Sequence, residues 1–331
     1  MKSSLKMLLA TTALTLGAQA VGAAGHGEVT VAYFTEWPMP FQFAKVNGTY
    51  DEEMGVKVNW VAFDTGTAMS AAMASGDVQI SVSQGVPPFV VATSAGQDLQ
   101  IIDVAVSYAD NDNCVVRSAL EIDKTTAGDL AGKKVAVPLG TAAHYGFLRQ
   151  MDHFGVDTAS MSVVDMAPAE GAAALSQGAV DMACGWGGAL RRMKEVGNVL
   201  LTGAEKEELG ILVFDVTSAP AEFVAENSDL VAKFLKVTAD ANAAWNSGEG
   251  VEDMLPVIAK DAGMELDATR ETLATFVFPS VEEQLGPKWL AGGAQTFMNG
   301  VADVFLQAGS IPAIRDNYDS AVNVTPLSRV E

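Results

Sequence analysis

Alternating apolar and polar positions mark Glu28–Tyr33 (E-V-T-V-A-Y) and Val56–Phe63 (V-K-V-N-W-V-A-F) as strands, with a short helix opening over Phe41–Lys45 between them. The second strand runs through Asp64-Thr65-Gly66-Thr67 into an Ala- and Met-rich helix over Ala68–Ala74. Asp64 or Thr65 is its expected N-cap, and Ser75-Gly76-Asp77 stops it. Val78–Val82 reads as a third strand. It ends at Ser83-Gln84-Gly85, before Pro87-Pro88 and a helix through Ala92, and Leu99–Val106 reads as a fourth strand. Strands and helices alternating through short loops predict an α/β fold with a doubly wound sheet.

A polar stretch, Ser107–Asn113, interrupts this pattern, which then restarts with Cys114–Arg117 and a short helix led by Asp129-Leu130. Val135–Val137, Met161–Asp165 and Val180–Cys184 read as strands, and Pro168–Gln177 and Leu190–Val196 as helices. Gly185-Trp186-Gly187-Gly188 reads as a turn and Val199–Thr202 as a short strand. Residues 211–218 form a strand returning to the first unit, after which only helices are expected: Ser228–Ser247, Val251–Ala262, Asp267–Thr275 and Lys288–Ala308. The architecture expected is two doubly wound lobes joined by a two-strand hinge. Residues 25–106 and 217–331 make a discontinuous first lobe, and 107–216 an inserted second one.

Residues 1–24 stand apart. Lys2 and Lys6 precede a short apolar run, Met7–Leu16, and small residues follow at Ala18-Gln19-Ala20 and Gly22-Ala23-Ala24. This is the pattern of a signal peptide cleaved after Ala20, Ala23 or Ala24. No cysteine lies nearby to carry a lipid, and no later run reaches the ~18 apolar residues of a membrane span. Export to a periplasm as a free, monomeric protein is the expectation. The formal charge of −21 becomes two units more negative when Lys2 and Lys6 leave with the leader, and such a surface repels nucleic acid and anionic lipid. The three histidines, His26, His144 and His153, have no metal-ligand spacing and no marked Ser or Cys nucleophile beside them. No enzyme activity, cofactor or metal is therefore expected. Cys114 and Cys184 either pair in an oxidising compartment or remain two buried thiols.

The stretch Val135–Phe147 (V-A-V-P-L-G-T-A-A-H-Y-G-F) combines strand, tight turn and a helix opening at Thr141. A helix start holds an anion through unpaired main-chain N–H groups and the helix dipole. Gly140, Thr141, Ala142 and Ala143 are the first candidates for such a site. Thr65, Gly66 and Thr67 form the equivalent turn of the first lobe, and Ser83 and Gln84 offer further donors. None of these turns contains Lys or Arg, which favours an anion held by dipoles over a phosphate clamped by basic side chains.

Three blocks, F-D-T-G-T-A-M…A-M-A-S-G-D-V-Q-I, K-K-V-A-V-P-L-G-T-A-A-H-Y and V-D-M-A-C-G-W-G-G-A-L, resemble the substrate-binding proteins of ABC importers for sulfonates, taurine-binding members above all. The resemblance implies a periplasmic binding protein fold of type II-like topology, with ligand between the lobes and delivery to a permease driven by an ATPase. Another small sulfonate or a zwitterion such as a betaine stays open as ligand. So does a pyrimidine-forming enzyme on the same fold, against which the export signal and the missing cofactor motif argue. A taurine ligand would need a carboxylate for its ammonium. Asp215, within the apolar strand, is costly to bury unpaired and is the first candidate, while Glu36 is the second or a surface acid. Trp37, Trp186 and Tyr145 could wall the ligand's carbon chain or simply pack the core. His144 would pack at the helix start or donate to a pocket group. The loop T-E-W-P-M-P-F is richer in aromatics and prolines than is expected for such proteins.

Overall fold

The computed structural model describes residues 27–108, 110–211 and 214–330. The expected signal peptide, His26, and Leu212 and Val213 of the return strand lie outside these. Eleven strands are present among the described residues: β1 Glu28–Phe34, β2 Lys57–Phe63, β3 Ile80–Gly85, β4 Leu99–Tyr108, β5 Asp112–Arg117, β6 Lys134–Val137, β7 Ser162–Asp165, β8 Met182–Trp186, β9 Gly197–Val199, β10 Phe214–Pro220 and β11 Phe276–Val277. They form a six-stranded sheet ordered β11-β4-β10-β3-β1-β2 and a five-stranded sheet ordered β7-β6-β8-β5-β9. None of the described helices is long and apolar enough to cross a membrane.

The two sheets share one device. β1 runs parallel to β2 and β3, and β6 runs parallel to β7 and β8. In each sheet a strand next to a chain crossing runs against the parallel strands: β10 between β3 and β4, and β5 between β8 and β9. An antiparallel strand brings its first residues to the edge where parallel strands end. Asp215 is thus in register with Gly85, the last residue of β3, and Asp112 with Trp186, the last residue of β8. Ligands of open α/β sheets bind at that edge.

Period-two alternation in the smaller sheet splits its apolar side chains between two faces. Cys114, Val116, Val135, Val137, Met182 and Cys184 face Ala143, Phe147 and Met151 of the helix Ala142–Phe154. Val115, Ala136 and Ala183 face Ala172, Leu175, Leu190 and Met193. Cys114 and Cys184 lie directly opposite each other on β5 and β8 and are joined by a disulfide.

Several elements depart from the sequence reading. Ser107, Tyr108 and Phe214–Val216 pair within the six-stranded sheet, so the chain leaves it after Tyr108 and re-enters by Phe214, and not at the boundaries drawn at 107 and 216. The ladder continues into the polar stretch because backbone pairing does not depend on side-chain polarity. The third strand, expected over Val78–Val82, lies at Ile80–Gly85, so Ser83, Gln84 and Gly85 belong to it. Gln84 can be buried there because its amide donates to the Gly66 carbonyl and Ser70 and accepts from Ser218. Gly185 and Trp186 finish β8, and Gly187 already begins the helix Gly187–Lys194. The strand expected at Val199–Thr202 lies at Gly197–Val199, and Thr202 instead caps a helix over Gly203–Glu208. The chain after β10 is not purely helical, since the two residues of β11, too few to show a period, pair with β4.

Candidate ligand-binding cleft

The two helix starts singled out in the sequence face each other. Thr65 caps the helix Gly66–Ser75 by accepting from the Ala68 N–H at 3.2 Å. Thr141 caps Ala142–Phe154 by accepting from the His144 N–H at 3.4 Å, and its own hydroxyl donates to the Pro138 carbonyl at 2.6 Å. Gly140 has φ +75°, and a β-carbon there would meet the Thr67 methyl at 3.2 Å. Glycine thus gives both the turn and the close approach of the two sheets. In the first turns, the N–H groups of Gly66, Thr67, Ala142 and Ala143 have no intrahelical acceptor to reach.

Gly66, Thr141 and Ala142 border a small cavity between the two sheets. Phe34, Trp37, Tyr108 and Trp186 wall it with aromatic rings, Gly85 and Pro88 contribute small surfaces, and Asp112 and Asp215 contribute carboxylates. Phe34 and Trp186, one from each sheet, lie with ring centroids 6.0 Å apart. No Lys or Arg is among the lining residues.

Asp215 is the hub of a buried network. The Tyr108 hydroxyl donates to Oδ1 at 2.7 Å and the Ser83 hydroxyl to Oδ2 at 2.7 Å, while Trp37 Nε1–H donates to Ser83 Oγ at 2.9 Å. Burial pushes the Asp215 carboxyl up to about 7, against the pull of these two donors and reinforced by nearby Asp112. Ser83 holds φ +61°, a left-handed conformation that costs a non-glycine residue about 1–3 kcal/mol. Its hydrogen bonds to Asp215 and Trp37 fix it there. Asp112 is likewise pushed up to about 7 by burial, with Lys206 opposing. The Lys206 ammonium donates to the main-chain carbonyl of Asp112.

Ser83, Thr141, Ala142, Gly66, Trp37, Trp186 and Asp215 are therefore brought together, as lining or by direct hydrogen bond to it. Other sequence candidates are placed elsewhere. Glu36 is held by Arg192 through two hydrogen bonds of 2.6 and 3.0 Å, and the pair links the loop after β1 to the helix Gly187–Lys194. It does not line the cavity. Gly187 and Gly188 leave room for it, since a β-carbon on either would come within 3 Å of Glu36. Gln84 spends its amide on the internal partners named above. Tyr145 accepts from Arg149 at 2.8 Å and packs edge-on to Phe297, while His144 stacks on Phe305. Both belong to the contact between Ala142–Phe154 and the helix Gly293–Gln307. His144 Nδ1 accepts from the Gly140 N–H, and burial lowers its pKa to about 4, so the imidazole is neutral. Thr65, Thr67 and Gly140 lie beside the cavity, along neighbouring grooves. Ala143 packs in the core of the smaller sheet.

The sequence reading missed Phe34, Gly85, Pro88, Tyr108 and Asp112. The one available signal was two acids, Asp110 and Asp112, placed immediately before an apolar run at the point where the pattern restarts.

Two α/β sheets whose carboxyl edges enclose a cavity between them define the fold of periplasmic binding proteins. The chain belongs to the NMT1/THI5-like family, whose model matches residues 38–246. It is 27% identical over 325 residues, 97% of each chain, to the taurine-binding periplasmic protein of Escherichia coli K12. It is 27% identical over 246 residues, 72% of each chain, to a putative aliphatic sulfonates-binding protein of Bacillus subtilis 168. Its fold is similar to that of the alkanesulfonate-binding protein SsuA of Xanthomonas axonopodis pv. citri bound to MOPS, with a TM-score of 0.73 at 20% identity over 91% of this chain and 99% of that one.

Proposed function

We propose that this chain is an exported periplasmic binding protein, not an enzyme, that captures taurine between its two lobes as a monomer and delivers it to an ABC permease and its ATPase. The observation that carries this reading is one cavity bordered by helix starts and by the buried Asp215, with no basic side chain lining it. A sulfonate is ionised at any neutral pH and suits the N–H groups of the helix starts. An ammonium suits a carboxylate that is otherwise costly to bury. The taurine-binding relative supports the same ligand. The four aromatic walls favour a second reading, a quaternary ammonium zwitterion such as glycine betaine.

Thermal shift distinguishes these. A ligand at 100 times its Kd stabilises by about 2.7 kcal/mol, a rise of about 5 °C for a chain of this size. Taurine is expected to give that rise, with ethanesulfonate and glycine betaine giving little. An ethanesulfonate shift as large as that of taurine would reject a zwitterion, and a larger shift with betaine would select the second reading.

The Glu36–Arg192 pair spans the cleft between the two sheets with both side chains about one-third exposed (35% and 37%). Screening limits such a pair to about 1 kcal/mol, roughly fivefold in an equilibrium constant. Glu36→Gln is therefore expected to speed taurine release up to about fivefold in stopped-flow displacement, leaving the association rate unchanged. An unchanged release rate would remove the pair from any role in closure.

A further inference from the structure

Asp112 is 2% exposed, and its Oδ2 has no hydrogen-bond partner. An oxygen of a buried carboxylate without a donor is costly, and native structures rarely tolerate it without a reason. Lys206 is near enough to act on its charge but gives Oδ2 no hydrogen bond, since it donates to the main-chain carbonyl of Asp112 instead. Asp215 differs in that each of its oxygens already receives a hydroxyl hydrogen. Both acids border the same cavity, yet Asp112 opens β5 of the five-stranded sheet and Asp215 stands near the start of β10 in the six-stranded sheet. A cation placed between them would touch both sheets at once.

The number of N–H groups on that cation then matters. A primary ammonium has three, enough to serve Asp215 and still reach Asp112, whereas a quaternary ammonium has none and would leave Oδ2 bare. We propose that Asp112 is a specificity-determining residue that accepts an N–H from the ligand's ammonium, so that the site selects a primary amine over a quaternary one and the bound amine joins the two sheets. This inference rests on the zwitterion reading above and adds a second carboxylate to it.

Calorimetric titration of taurine, N,N,N-trimethyltaurine and ethanesulfonate into the wild-type protein, Asp112→Asn and Asp112→Ala tests it. Asn keeps the side-chain size without the charge, and Ala removes the acceptor. The wild type is expected to prefer taurine over its trimethyl analogue by about 30-fold, the scale of a hydrogen bond to a charged group. Both variants are expected to lose about 30-fold for taurine and to bring the preference down to about threefold. Equal wild-type affinity for the two amines would overturn the proposal without needing any variant. So would variants that melt as the wild type does and keep its taurine affinity and preference. A wild type that binds ethanesulfonate and ignores taurine would instead refute the zwitterion reading on which the proposal stands.

Discussion

Asp215→Asn is expected to weaken taurine binding about 100-fold or more, while ethanesulfonate binds as well as before or better. Removing one partner of a buried charge pair costs about 3–5 kcal/mol, and each 1.4 kcal/mol is tenfold in affinity. The substitution should leave the fold intact. Tyr108 and Ser83 are hydroxyls that can donate to the amide oxygen or rotate to accept from the amide nitrogen, so the network around residue 215 stays paired. The opposite sign for ethanesulfonate follows from its methyl end, which in the wild type sits against a carboxylate that no cation neutralises. Equal losses for both ligands in calorimetry would show that Asp215 serves the fold and does not receive the ammonium.

The second large effect concerns stability. Cys114 and Cys184 close a loop with a sequence separation of 70 residues, for which chain entropy predicts a stabilisation of about 4 kcal/mol. Replacing both by Ala is expected to lower the unfolding free energy extrapolated from urea curves by that much, with a correspondingly lower midpoint. Reductant should bring the wild-type curve to the same place. A wild-type midpoint unmoved by reductant would show that the bond contributes nothing to stability. The bond also ties β5 to β8 two residues from Asp112 and Trp186, which are themselves in register. Loosening that end of the smaller sheet should therefore disturb the cavity wall as well as the core.

What the sequence disclosed was chiefly local. The helices Ser228–Ser247 and Val251–Ala262 lie over the ranges expected from the sequence. The helix starts were legible because a cap is a contact between residues three apart, although between Asp64 and Thr65 only the structure selects Thr65. Asp215 could be suspected because an acid in an apolar strand needs a partner. Tyr108 and Asp112 were hidden in a polar run that reads as a loop, since nothing local reveals that β4 extends into it or that β5 starts within it. Their approach to Asp215 depends on β10 inserting between β3 and β4, a pairing over more than 100 residues of sequence. Glu36 was a fair candidate until its partner was known, and that partner, Arg192, is 156 residues away. Gln84 shows the converse, a polar side chain at the end of a strand whose amide is taken up by Gly66, Ser70 and Ser218 within its own sheet and the helix beside it.

The two ends of the cavity differ in how far single amino-acid replacements can move them. At the helix starts the donors are main-chain N–H groups, which every residue but proline carries. The nearby glycines also resist exchange, because a β-carbon on Gly66 would come within 2.7 Å of Pro88 and Gly140 needs its positive φ. The opposite end is built from Asp112, Asp215, Tyr108 and the tryptophans, each replaceable by one codon change. Descendants of such a chain would readily exchange the group at the far end of their cargo while still carrying the same kind of anionic head.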